Sequence, residues 1–259
     1  MAVEEPLYDG ENLHVYPRTM FGTAFVYDIE TEDDDEVRVL EVGGVFESAT
    51  YIDHRRFEPT FAYYYAFDHL FEAFPEPDRV LMIGGGGFAY PKHFIASQPY
   101  GSMDVVEIDP VITRIARRHF FLDELIEDFD TRTTGRLNIV TADGFAYLKE
   151  DGPSYDVIIN DSFSGGEATS SLVEPGGLKV VKNRLSDRGV YLINVICDLE
   201  VDARPLLQVV ENLRGEFANV HVVPCVDDVF GDADNNLVIA TDGEYEFTDC
   251  LPSAPELGY

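Results

Sequence analysis

The sequence predicts an α/β protein: a parallel sheet covered on both faces by helices, with a small β subdomain in front of it. Three observations carry that expectation. From Asp78 onward, short apolar runs alternate with helix-like segments. The first of those runs feeds straight into Gly84-Gly85-Gly86-Gly87. Of 259 residues, 45% are hydrophobic and 12% aromatic, which is enough apolar material for a packed core and excludes a disordered chain. The length suits one sizeable domain, or a domain with a small appendage.

Each element follows from the local pattern. Phe25 to Ile29 alternates apolar and polar residues and reads as a strand, followed by an acidic turn from Glu30 to Glu36. That turn reads as a solvated hairpin tip in preference to a cation site. Val37 to Val42 and Val45 to Ile52 are further strands, with Gly43-Gly44 as the tight turn between them. A helix is expected from Thr60 to Ala73, ended by Pro75 and Pro77. Five apolar runs then read as buried strands: Arg79 to Ile83, Met103 to Ile108, Leu137 to Val140, Asp156 to Asn160, and Gly189 to Val195. Helical segments separate them: Lys92 to Ser97, Val111 to Phe120, Gly144 to Lys149, and Leu178 to Leu185. Such alternation specifies a parallel sheet. A helix from Ala203 to Phe217 and strands at Val220 to Val223 and Asn236 to Thr241 suit an antiparallel sheet edge. The expected division is a β subdomain over residues 1–56 and the sheet domain over residues 57–259.

Acids outnumber bases 49 to 18, a formal charge of −31. That balance disfavours nucleic acid and anionic membranes, whose phosphates need clustered Lys and Arg. It permits a small cationic substrate, steered by the field of the molecule. For the charge taken alone, solubility or adaptation to high salt is the leading reading. No apolar run is long enough to span a membrane, and the acidic N-terminus lacks the basic and apolar regions of a signal peptide. The three cysteines (Cys197, Cys225, Cys250) and six scattered histidines show no ligand spacing, so no metal is expected. The expected location is the cytoplasm.

Four acid- or glycine-bearing segments fall at the carboxyl ends of the predicted strands. Gly84, Gly85 and Gly86 let the backbone approach a ligand closely. A GxGxxG test matches Gly84 and Gly86 but ends on Ala89, and a glycine turn alone is a weak signal. Glu107 ends the second strand about twenty residues further on, where an acid accepts from ribose hydroxyls; the alternative is an exposed strand end. Asp109, before Pro110, reads as a helix cap. Asp143, before Gly144, either accepts from the exocyclic amine of a base or caps the next helix. Asp161 ends the fourth strand, beside the expected switch point, where a carboxylate orients an amine or takes its proton; the alternative is a turn-forming aspartate.

These segments, in this order, resemble the Rossmann-like class I S-adenosylmethionine-dependent fold, with its seven-stranded methyltransferase-type sheet. More closely they resemble the polyamine aminopropyltransferases, the spermidine synthase family, in its divergent spermidine-synthase-like branch. The resemblance is carried by Val80-Leu81-Met82-Ile83-Gly84-Gly85-Gly86, Val106-Glu107-Ile108-Asp109-Pro110, Asp143-Gly144, and Tyr155-Asp156-Val157-Ile158-Ile159-Asn160-Asp161-Ser162. Upstream, Val42 to Ala49 and Tyr63-Tyr64-Tyr65 extend it, and it covers roughly Phe21 to Thr241.

The resemblance implies roles. Gly84, Gly85, Gly86 and Gly144 would line the nucleoside, Glu107 would hold the ribose, and Asp143 the adenine edge. Asp161 would position and deprotonate the attacking amine, with Tyr63, then Tyr64, as the substrate-side tyrosine; packing on a helix is the alternative for all three tyrosines. Glu47 and Ser164 would lie on the substrate side. The chain also departs from the family. Gly87 replaces an aspartate, Ser164-Gly165 replaces an aspartate-proline pair, and Glu47 stands where a glutamine is usual. Asn194-Val195-Ile196-Cys197 replaces a tyrosine-proline segment.

Three functions are therefore weighed. The first is aminopropyl transfer from decarboxylated S-adenosylmethionine to a diamine such as putrescine. The second is methyl transfer from intact S-adenosylmethionine to an unknown acceptor, since Gly87 removes a repulsion against the methionine carboxylate. The third is a non-catalytic nucleoside-binding or assembly protein, because fold alone does not fix function. The expected partner is a small cationic amine, and the expected assembly a homodimer.

Overall fold

The computed structural model describes residues 6–31, 34–164, 167–168, 170–225 and 235–251; of 163–164, 167–168 and 170 it describes the backbone alone. The chain opens with β1 (Tyr8–Asp9), β2 (Leu13–Thr19), β3 (Gly22–Glu30), β4 (Glu36–Val42) and β5 (Val45–Tyr51). Helix α1 (Ala62–Ala66), a 3-10 turn (Phe67–His69) and α2 (Leu70–Ala73) follow. Next come β6 (Arg79–Ile83), α3 (Ala89–Ser97), β7 (Ser102–Glu107), α4 (Pro110–His119), α5 (Leu122–Asp128), α6 (Thr131–Thr134) and β8 (Leu137–Thr141). The rest of the chain is α7 (Gly144–Lys149), β9 (Tyr155–Asn160), β10 (Phe163–Ser164), β11 (Glu167–Ala168), α8 (Ser170–Val173), α9 (Pro175–Arg184), β12 (Leu185–Ile196), α10 (Arg204–Arg214), β13 (Asn219–Cys225) and β14 (Asn235–Thr241).

The first five strands form an antiparallel meander in sequence order. Gly43 and Gly44 both adopt positive φ, 61° and 88°, and Val42 pairs with Val45. That is the two-residue hairpin whose twist matches its strands, and it requires residues without a Cβ penalty. Residues 32 and 33 of the acidic turn lie outside the described residues. Around them, Thr31 N–H donates to Asp35 O at 2.9 Å, and β3 runs antiparallel into β4, as a hairpin tip requires.

Seven strands build the mostly parallel sheet, in the order β13-β14-β12-β9-β6-β7-β8, so the α/β fold expected from the sequence is the fold observed. Its strands are buried almost continuously: Val157, Ile158, Ile159, Val190, Tyr191, Leu192 and Ile193 are inaccessible to solvent. Each fully buried aliphatic of this kind contributes about 1.5–3 kcal/mol. β14 runs antiparallel to both β12 and β13, giving the antiparallel edge.

By packing, the chain divides into two compact units. One comprises Met1–Phe61 with Gly84–Gly144, the other Ala62–Ile83 with Phe145–Tyr259. The boundary expected near residue 56 falls in the irregular stretch between β5 and α1. In the second unit β6 and β9 pair in parallel, from Val80 with Val157 to Ile83 with Asn160. The strand order reverses between these two neighbours, and the carboxyl ends of strands at such a reversal are where ligands bind in open α/β sheets.

Several elements differ from the sequence expectation. The helix expected over residues 60–73 is one helical rod with a tightened middle turn: Ala66 and Leu70, which flank the 3-10 segment, keep right-handed helical angles. β12 starts at Leu185, well before Gly189, because the chain bulges between Leu185 and Val190 with Arg188 in the left-handed region. Strands β1 and β2, the β10–β11 pair, and helices α5, α6 and α8 are additions to the expected set. No helix among the described residues is long and apolar enough to cross a membrane.

Candidate active site

Two clusters of the expected site residues stand at strand carboxyl ends, one in each unit. The first is the glycine turn. Gly84 N–H donates to Val106 O of β7 at 3.0 Å, and Gly84 and Gly86 have φ of 94° and 48°, where side chains with a Cβ are strained. A Cβ on Gly85 would stand 2.8 Å from the Phe88 ring. Glu107 closes this turn from the end of β7. Its Oε2 accepts from Gly85 N–H at 2.8 Å and Gly86 N–H at 3.3 Å, and its Oε1 from Asp109 N–H at 2.8 Å. The residue is buried, so the exposed strand-end alternative does not hold. Burial pushes its pKa up, against the three amide donors that favour the charge. Those donors take three of about four acceptor sites on a carboxylate, which leaves capacity for about one ligand hydroxyl.

Asp109 caps α4 through Val111 N–H at 2.8 Å, and its other oxygen accepts from Met20 N–H at 2.6 Å. Asp143 is exposed at the end of β8, immediately before Gly144, the first residue of α7. Glu47 is exposed on β5, and its carbonyl oxygen would lie 3.6 Å from a Cβ on Gly86.

The wall behind the glycine turn explains why residue 87 is glycine. A Cβ there would meet Ser48 Oγ at 2.6 Å and Phe120 Cδ1 at 2.9 Å, and both neighbours are fully buried. The same wall is tied by Lys92 of α3, which is buried and donates to Thr50 Oγ1, Arg56 O and Phe120 O at 2.9, 3.0 and 2.9 Å. All three ammonium hydrogens are thereby used, while loss of solvent, with Arg56 adding to it, pushes the amine down to about 7.

The second cluster is built on β9. Asp161 N–H donates to Ile83 O at 2.9 Å, which carries the β6–β9 ladder one residue beyond Asn160. The half-buried Asp161 receives Tyr63 OH on Oδ2 at 3.4 Å and Asn194 Nδ2 on Oδ1 at 3.1 Å. Desolvation raises its carboxyl to about 6 against these two hydrogen bonds. Asn160 fixes Ser162, two residues on, its Oδ1 accepting from Ser162 N–H at 3.2 Å and Ser162 OH at 2.6 Å. The Tyr63 and Tyr64 rings lie with centroids 4.2 Å apart, tilted by 37°. Tyr64 is buried between Tyr63 and Phe67, and Tyr65 is exposed. Ser164 lies in the β10–β11 hairpin, paired with Glu167, and its side chain is outside the described residues, as is Gly165.

The structure thus brings together Tyr63 and Asp161, and separately Gly85, Gly86 and Glu107. Sequence reasoning missed the amide of Asn194 as a partner of Asp161 and the lysine behind the glycine turn. For Asn194 a signal existed: one amide inside the apolar run Gly189 to Ile196. Chemically, a carboxyl raised to about 6 is mostly ionised at neutral pH yet close enough to its midpoint both to capture and to release a proton.

A family model described as the spermine/spermidine synthase domain matches residues 61–226. A polyamine aminopropyltransferase of Vibrio vulnificus is 35% identical over 123 residues, covering 46% of this chain and 38% of that protein. An eEF1A lysine and N-terminal methyltransferase of Danio rerio is 31% identical over 132 residues, covering 47% of this chain and 18% of that protein. The matches to these curated relatives thus span well under half of the relatives' lengths. A crystal structure of a probable spermidine synthase from Corynebacterium glutamicum superposes with a TM-score of 0.71 at 18% identity, covering 90% of this chain and 81% of that one; that likeness is one of fold.

Proposed function

The chain belongs to the spermine/spermidine synthase domain family, and from that premise we propose that it transfers an aminopropyl group from decarboxylated S-adenosylmethionine to a diamine such as putrescine. The observation that carries this reading is Asp161, a carboxyl raised to about 6 with Tyr63 OH on one oxygen. The acceptor amine attacks the carbon beside the sulfonium, the new C–N bond forms, and the C–S bond breaks. Sulfur leaves with the electron pair as neutral methylthioadenosine. The leaving group is already good, so the protein supplies alignment and a base. In this reading Asp161 takes the amine proton and Tyr63 orients the carboxylate. Gly84, Gly85, Gly86 and Gly144 border the nucleoside, Glu107 accepts from one ribose hydroxyl with its remaining capacity, and Asp143 reads the adenine edge. Glu47, Tyr64 and Ser164 belong to the substrate side.

The enzyme works, on this proposal, as a homodimer in the cytoplasm. The thiols of Cys197, Cys225 and Cys250, none of them in a disulfide, support a reducing compartment, and the exposed Met20, Phe21, Val45 and Phe46 of the N-terminal hairpins support a self-contact. A second reading, methyl transfer from intact S-adenosylmethionine, draws support from Gly87, whose neighbours Ser48 and Phe120 leave no room for an acid there.

Calorimetry with methylthioadenosine, S-adenosylmethionine and decarboxylated S-adenosylmethionine separates the two. The first reading expects the decarboxylated donor to bind more tightly than the intact one. A preference for the intact donor favours the second, and binding of none of the three overturns both.

A further inference from the structure

From Gly189 to Ile196, β12 is apolar but for one amide, Asn194, and that residue is buried. Asn194 Nδ2 has two hydrogens and both are used: one goes to Asp161 Oδ1 at 3.1 Å, the other to Asn235 Oδ1 of β14 at 3.0 Å. The amide is therefore held from one side by β14 and presented to the carboxylate on the other. Its own carbonyl oxygen is buried with no donor among the described residues. An orphaned acceptor is unfavourable in a strand core, where Leu or Val would carry no such penalty. An amide kept at that cost has a task beyond packing.

Asp161's two oxygens are not equivalent. Oδ1 holds a well-formed amide hydrogen bond. Among the described residues Oδ2 has only Tyr63 OH at 3.4 Å, near the outer limit of a hydrogen bond. We propose that Asn194, braced by Asn235, is a positioning residue that commits Oδ1 of Asp161 and so leaves Oδ2 as the oxygen that takes the amine proton. The inference rests on the reading of Asp161 as the base, and it goes beyond that reading in naming which oxygen acts and what selects it. Asn194 touches no reacting atom; it acts through Asp161. The same hydrogen bond favours the charged carboxylate and opposes the desolvation that raises its pKa. Tyr63 is the one titratable group facing Asp161 with a resolved contribution, and no charged side chain adds to it among the described residues.

The test reads Asp161 directly. In protein carrying ¹³C-labelled aspartate carboxyls, with D161N to assign the signal, the Asp161 titration is followed in the wild type and in N194L. Loss of the amide donor is expected to raise the midpoint by about one pH unit. N194Q, which restores an amide, is expected to return most of that shift. The acid limb of kcat against pH should move with the titration while KM for the nucleoside stays unchanged. If N194L does not fold, N194A replaces it in the same titration. An unchanged or lowered midpoint on loss of the amide overturns the proposal. Should the wild type transfer no aminopropyl group, the reading of the site fails, while the carboxyl titration still decides the role of Asn194.

Discussion

With Asp161 as the proposed base, activity and stability pull in opposite directions at this residue. Its folded pKa of about 6 lies above the ordinary 3.8, so the native state holds this proton more tightly than the unfolded chain. The stability that the group contributes is complete below about pH 4 and is lost as the pH climbs through about 6. At pH 8 the ionised carboxylate therefore costs about 2 kcal/mol after allowance for its partial exposure. Asp161→Asn removes that cost. Thermal unfolding at pH 8 should show the variant more stable than the wild type, with turnover lowered about 100- to 10,000-fold and nucleoside affinity retained. In the wild type kcat/KM should fall as the pH drops below about 6. A variant that keeps its turnover would remove Asp161 from the base role. The sequence led to Asp161 and Tyr63 because each carries a recognisable residue type beside a recognisable signal. It did not lead to Asn194 as the partner of Asp161, because the contact joins strands far apart in the chain and the residue type is common. Nor did it reveal that Glu107 holds the turn: its partners are backbone amides of Gly85, Gly86 and Asp109, which no residue type announces.

Among the elements, legibility followed burial. β9 and β12 stood out because their side chains are buried on both faces. β2 did not, since among its residues only Tyr16 is buried and Pro17 falls where the β2–β3 pairing slips. α5 was hidden because the chain turns into it through Phe121 at φ 59°, with no glycine or proline to mark the break. The glycine turn was read as a device for approaching a ligand, and its back face adds a second constraint that only packing reveals. Gly87→Ala would drive a methyl group into Ser48 and Phe120. Because both are buried, the expected loss is about 1–3 kcal/mol, read as a lower denaturant midpoint. Ser48→Gly removes the nearest contact, so combining it with Gly87→Ala should recover part of the loss. A Gly87→Ala protein of unchanged stability would show that this wall yields.

For the molecule as a whole, a charge of −31 on 259 residues makes self-repulsion a property of the entire surface. The screening length shortens from about 10 Å at 0.1 M salt to about 3 Å at 1 M. The melting temperature should therefore rise by several degrees over that range, and a flat or falling trend would show that the acids are already compensated. On the proposed function, the same charge favours approach of a cationic acceptor, and the proposal assigns the choice between aminopropyl and methyl transfer to Asp161, Tyr63 and the neutral corner at Gly87. The most direct test is mass spectrometry of the products after incubation with decarboxylated S-adenosylmethionine and putrescine. The account predicts spermidine and methylthioadenosine in equal amounts, both lost in Asp161→Asn. Absence of spermidine, with a methylated product and S-adenosylhomocysteine formed instead from the intact donor, would contradict it.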